Sequence, residues 1–163
     1  MDKKPSLKWY KTKNKPKKED IYTGTWESAL LFKARTNTLE VNERRKKWGG
    51  ENDKCEKCAK RGENIVETLE HVITECGEYT DERNRVDQNI SNKIGHTWER
   101  KKREEDRGLK TMLGLENTDK EVVGYTKKFL KEMWIKRNKK ERQGGGAAQS
   151  EQEHSYSRRG GGS

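Results

Sequence analysis

Residues 55–76 read CEKCAKRGENIVETLEHVITEC, and the spacing within them, Cys55-x2-Cys58-x12-His71-x4-Cys76, decides how this chain is held together. Two thiolates separated by two residues can bend around one tetrahedral ion from a tight turn. A His followed after four residues by a Cys can close the shell from a helix and its end. Thiolate and imidazole donors suit zinc, and four protein ligands leave no position for an activated water, so the spacing predicts a structural zinc site. Ile65, Leu69, Val72 and Cys76 recur at intervals of 4, 3 and 4, the period of one helical face. VETLEHVITEC is therefore read as a helix that presents His71 and Cys76 toward the Cys55–Cys58 turn.

The rest of the chain explains why a metal would be needed. Of 163 residues, 27% are hydrophobic and 40% are charged, a composition close to that of chains that cannot bury enough apolar surface to fold unaided. A structural zinc ion can add roughly 10–16 kcal/mol of apparent binding free energy to folding. All 3 cysteines lie in the motif. The odd count argues against a secreted disulfide framework and for a reducing compartment, nuclear or cytoplasmic. No run reaches the ~18 apolar residues that span a bilayer, so no membrane partner is expected.

The formal charge of +10 is unevenly placed. Residues 1–20 hold 8 Lys against 3 acids, residues 26–80 are near neutral with 10 basic and 11 acidic side chains, and residues 81–143 hold 18 against 12. Such a distribution suits a partner bearing phosphates, with the binding charge outside the metal region.

Four segments follow. Residues 1–20, with Pro5, Pro16 and no period, read as a disordered basic arm whose Trp9 and Tyr10 can stack on bases or dock on the domain. Residues 21–80 read as a helical region around the zinc site. Its first helix is WESALLFKAR, with Trp26, Ala29, Leu30 and Ala34 on one face, and its second is LEVNERRKKW, carrying Val41, Arg44, Arg45 and Trp48 at helical spacing before the stop at Gly49-Gly50. Residues 81–142 read as a charged helical extension. Val86, Ile90 and Ile94 mark one helix there, WERKKREEDRG reads as a solvated helix or linker, and Thr118 with Glu121 forms a capping box for a long helix striped by Val122, Val123, Phe129, Leu130, Met133 and Trp134. Residues 143–163, rich in Gly, Ser and Gln, read as a disordered tail. The predicted fold class is thus mainly α: a small zinc-stabilised helical domain between a basic arm and a Gly-rich tail.

The segment from Cys55 to Cys76 resembles the zinc motif near the C-terminus of non-LTR retrotransposon reverse transcriptases, which have a Cys-x2-Cys turn, a variable stretch, Glu-Thr-x-Glu-His and a closing Cys. Glu67, Thr68, Glu70, His71 and Cys76 match in order. Upstream, Leu31, Arg35 and Thr36 are similar to that family's Arg-Thr-bearing helix pair, with Asn37 where a Gly is usual, and Phe129 to Arg137 resembles its closing helix more loosely. The likeness covers roughly residues 26–80. It implies a non-catalytic C-terminal piece of a polyprotein, since Tyr79-Thr80-Asp81-Glu82 lacks the flanking apolar strands of a polymerase metal-binding turn and reads as a surface coincidence. No catalytic constellation or phosphate-cradling loop is present, and no small-molecule substrate is expected.

The function these readings point to is a zinc-binding domain, not an enzyme, that associates with RNA or DNA, with Arg35, Arg44, Arg45, Lys46 and Lys47 as the phosphate contacts nearest the metal. Two alternatives stand beside it. One is an interaction module whose Trp26/Leu30 and Phe129/Trp134 faces dock on a polymerase domain, and the other a truncated element copy with no cellular role.

Overall fold

The computed structural model describes residues 19–116 and 119–139. The readings for residues 1–18, including Trp9 and Tyr10, for Thr118 and for the tail from 143 onward lie outside them. The described chain is mainly helical: α1 (Trp26–Arg35), α2 (Asn42–Lys47), α3 (Glu56–Ala59), a π turn (His71–Glu75), a 3-10 turn (Gly77–Tyr79), α4 (Thr80–Ile94), α5 (His96–Arg103), α6 (Arg107–Met112) and α7 (Lys120–Asn138). Among the described residues the β structure is one isolated antiparallel bridge, Lys54 to Val66.

The first two helices end by the same device. At α1, Thr38 N–H donates to Lys33 O at 2.7 Å and Asn37 N–H to Ala34 O at 3.1 Å. Asn37 takes φ 51°, the left-handed conformation that this crossed pair of bonds requires and that Asn tolerates better than most residues. At α2, Gly50 N–H reaches Arg45 O at 2.9 Å and Gly49 N–H reaches Lys46 O at 3.2 Å, with Gly49 at φ 97°. Gly49-Gly50 is therefore the stop the sequence indicates. The helix before it is shorter than LEVNERRKKW, however. Val41 precedes it, buried, while Trp48 caps its end and turns outward, 79% exposed.

α7 is the axis of the molecule. Asp119 caps its N-terminus, accepting from the Glu121 and Val122 N–H groups. Its predicted stripe is confirmed: Val122, Val123, Phe129, Leu130 and Met133 are buried, and Trp134 packs at the edge. α1 covers one side of this stripe with Leu30, Leu31 and Ala34, and α4 covers the other with Val86 and Ile90. One continuous core joins residues 81–139 to the helices before them. An amphipathic helix as long as α7 must bury its stripe, and the early helices are its partners. The docking faces of the interaction-module reading are corrected by the same packing, since Leu30 and Phe129 face this core while Trp26 stays 47% exposed.

Two further readings change. WERKKREEDRG is not wholly solvated: Trp98 is buried on α5 and donates its indole N–H to Asp87 on α4 at 2.7 Å, with Lys101 buried beside it. Tyr79 is fully buried while Thr80 and Asp81 are exposed, so only the last three residues of the YTDE string lie at the surface. Its tyrosine closes the core beneath the 3-10 turn.

Candidate metal centre

A short extended hairpin sets up the site. Cys55 N–H donates to Ile65 O at 2.8 Å and Glu67 N–H to Asp53 O at 2.8 Å, on either side of the Lys54–Val66 bridge. α3 begins directly after Cys55, and Ala59 N–H returns to Cys55 O at 2.9 Å. That single turn carries Cys55 and Cys58 on one side. On the opposite wall, Thr68 Oγ accepts the His71 N–H at 3.0 Å and so starts the helical turn that bears the histidine.

The closing step is a π turn, not the α-helix the apolar period suggests. Cys76 N–H bonds to His71 O at 2.7 Å, five residues back. On an α-helix, residues five apart point about 140° away from each other; the wider π turn brings them back onto one side. Leu69, Val72 and Cys76 are buried as predicted, while Ile65, on the hairpin, is 38% exposed. Arg83 of α4 locks this turn from behind, donating to Ile73 O at 3.0 Å and Cys76 O at 2.6 Å.

Cys55, Cys58, His71 and Cys76 are all buried, and their ligand atoms lie within 4.8 Å of one another. The three thiols are free. Sulfur–sulfur distances of 3.8 Å for both Cys55–Cys76 and Cys58–Cys76 are far beyond the ~2.0 Å of a disulfide. A tetrahedral ion with metal–sulfur bonds of about 2.3 Å sets its sulfurs about 3.8 Å apart, and with a metal–nitrogen bond of about 2.0–2.1 Å it sets sulfur and nitrogen about 3.5 Å apart. The observed Cys58 Sγ to His71 Nε2 distance is 3.4 Å. The donor set therefore fits one tetrahedral metal ion.

The surroundings fit the same role. His71 Nδ1 faces Glu75 Oε2 at 3.4 Å, an outer partner of the kind that fixes the imidazole so that Nε2 is the ligand. Arg61 donates to Cys58 Sγ at 3.2 Å, placing positive charge against a sulfur that is anionic when it binds metal. Without a cation, burial pushes the Cys55 and Cys58 thiols above their ordinary range. Metal binding must then displace their protons.

Beneath the centre lies a buried polar node. Glu67 is 3% exposed, accepts the Asn42 N–H at 2.8 Å and pairs with Arg137 at the end of α7. Asn42 in turn donates to Lys54 O at 2.8 Å, so α2, the hairpin and α7 meet at one carboxylate. Arg137 also lies over the Trp134 ring at 4.7 Å.

The five basic residues assigned to phosphate divide. Arg35 is corrected: it is fully buried, with its guanidinium forked onto Glu19 at 2.7 and 3.0 Å and onto the Tyr22 hydroxyl at 3.0 Å. It closes the start of the described chain onto α1 and cannot face a ligand. Arg45, Lys46 and Lys47 are exposed and Arg44 is half-buried. Lys46 pairs with Asp53 at 2.9 Å and Lys47 with Glu43 at 3.3 Å, exposed contacts of small energetic weight. Sequence reasoning missed Arg61, Glu75 and Arg83. Only Glu75, one helical turn after His71, left a readable trace.

No helix among the described residues is long and apolar enough to cross a membrane. No family model, curated protein or solved structure matches the chain.

Proposed function

We propose that this chain is a non-catalytic, zinc-stabilised helical domain that associates with nucleic acid and derives from the C-terminal end of a non-LTR retrotransposon reverse transcriptase. The observation that carries the zinc part is the closed, buried set of three sulfurs and one imidazole nitrogen at tetrahedral spacing. Soft donors with four positions filled favour zinc in a structural role over a hard cation or a catalytic site. The nucleic-acid part is supported by the net charge of +10, by the exposed cations of α2, and by the likeness of residues 55–76 to the retrotransposon motif. The metal centre itself, with three thiolates around Zn²⁺, carries −1 and contributes no attraction for phosphate.

The test is a zinc-loaded gel shift with single-stranded RNA, duplex DNA and a salt series. Phosphate binding weakens steeply with salt, with a slope that falls by roughly 0.7–0.9 for each phosphate no longer neutralised. A chain lacking residues 1–18, which hold 8 Lys and 1 acid, should bind more weakly with a flatter slope and keep its fold. The cut must stop there, since Glu19 holds the buried Arg35. Binding that is absent at low salt, or indifferent to salt and to this deletion, contradicts the reading and favours apolar docking instead.

A further inference from the structure

The two halves of the candidate ligand set are held in place by different means. Cys55 and Cys58 are fixed from within their own turn: Cys55 N–H reaches Ile65 O at 2.8 Å, and Cys58 O accepts the Arg61 and Glu63 N–H groups at 2.9 and 3.1 Å. All of these partners lie between residues 55 and 65, so this half is built from local backbone.

The His71–Cys76 half draws on a more distant group. Cys76 N–H is fixed by His71 O at 2.7 Å, but the chain leaves the π turn at Cys76, where ψ is 121°. The last carbonyls of a helical turn have no donor within the helix and must find one elsewhere. Here two of them share one guanidinium. Arg83 Nε donates to Ile73 O at 3.0 Å and Nη2 to Cys76 O at 2.6 Å, where the Tyr79 N–H adds a longer bond at 3.2 Å.

Arg83 reaches in from α4, the helix whose Val86 and Ile90 pack against α7. A planar guanidinium that spans two carbonyls fixes their separation and direction together, which a single ammonium cannot do. Packing behind the turn is incomplete. Ile73, Thr74 and Arg83 border a cavity of about 340 Å³ whose other walls include Trp98, Leu109 and Met112. On that side the turn relies on hydrogen bonds where close packing is missing.

We propose that Arg83 is the positioning residue of the metal centre: gripping Ile73 O and Cys76 O, it keeps His71 and Cys76 on one side before an ion arrives and so sets zinc affinity from α4. This deepens the zinc reading and rests on it. Cys76 is the ligand most sensitive to its loss, because its sulfur hangs from the residue at which the turn ends. By reciprocity, an ion that binds better when Arg83 is engaged must also tighten that engagement.

The experiment compares the full chain with Arg83→Met, which keeps the aliphatic stem and removes the donors, and with Arg83→Lys, which can serve one carbonyl but not both. Arg85→Met is the control, since Arg85 lies on the exposed side of the same helix and pairs with Glu132. Zinc affinity is read by competition with a chromophoric chelator and ligand geometry by the visible bands of the Co²⁺ form. The core is read by hydrogen exchange of α7 amides between Val123 and Met133 in the metal-free chains. Arg83→Met should bind zinc about 10- to 100-fold more weakly, with Co²⁺ bands displaced from the parent's, while its α7 protection matches the parent's. Arg83→Lys should recover part of the loss, and Arg85→Met should lose nothing. Zinc should also slow exchange of the α4 amides around Arg83 in the parent, and do so less in Arg83→Met. Parental affinity and Co²⁺ bands in Arg83→Met, or a loss that comes with lost α7 protection or is equalled in Arg85→Met, overturns the positioning role while leaving zinc binding in place. A parent chain that takes up neither zinc nor Co²⁺ overturns the zinc reading, and this role with it.

Discussion

Glu75 stands 3.4 Å from His71 Nδ1, and its contribution is testable without disturbing a ligand. Glu75→Gln should leave the fold intact and weaken metal affinity by about 10- to 100-fold, as loss of an outer carboxylate partner does. Competition with a chromophoric chelator reads this directly, and unchanged affinity would show that the carboxylate does not orient the imidazole. The pH dependence has a definite sign. Burial raises the Cys55 and Cys58 thiols, so they hold their protons until a cation displaces them, and apparent metal affinity must rise with pH and fall in acid. At this scale the ligands were legible, because Cys-x2-Cys and His-x4-Cys are local spacings imposed by a tetrahedron. Arg35 was not. What decides its role is Glu19, sixteen residues earlier in the chain, and nothing in the sequence of α1 distinguishes an arginine that caps a fold from one that meets a phosphate.

Among the elements, α7 is legible almost whole in the sequence, since its stripe obeys the helical period and no competing turn interrupts it. Phe129, 2% exposed against α1 and α4, should be its most sensitive position. Phe129→Ala is expected to cost about 3–5 kcal/mol, measured as a shift of the urea midpoint at unchanged slope. A loss under about 1 kcal/mol would mean that α7 is not packed as described. The turn at His71–Glu75 shows where periodicity misleads. The 4, 3, 4 spacing of Ile65, Leu69, Val72 and Cys76 suggests a single α-helix. Thr68 starts the helical turn only after Ile65, which belongs to the hairpin, and the 2.7 Å bond from Cys76 N–H to His71 O then widens it. The π turn, which sets His71 and Cys76 on one side, overrides the local period there. A similar competition shortens α2, where Gly49 and Gly50 close the helix before Trp48 can join the Val41 face.

On the scale of the whole molecule, the candidate metal centre and the α1–α4–α7 core are distinct parts of the fold joined at the Glu67–Arg137 node. Composition alone indicated a thin core and charged helices, but it concealed that the charged C-terminal half supplies the core's axis. Chelation should therefore act unevenly: hydrogen exchange should accelerate first between residues 50 and 80, while amides of α7 between Val123 and Met133 retain protection longest. Uniform loss would mean that the core does not persist without the metal, and no change would mean that the four side chains hold none. The most direct test of the central claim is the metal content of the purified full chain by elemental analysis and native mass spectrometry, compared with Cys58→Ser. One zinc ion per parent chain and none retained by Cys58→Ser is the predicted result; a parent chain free of metal, or a variant that keeps a full equivalent, would contradict it.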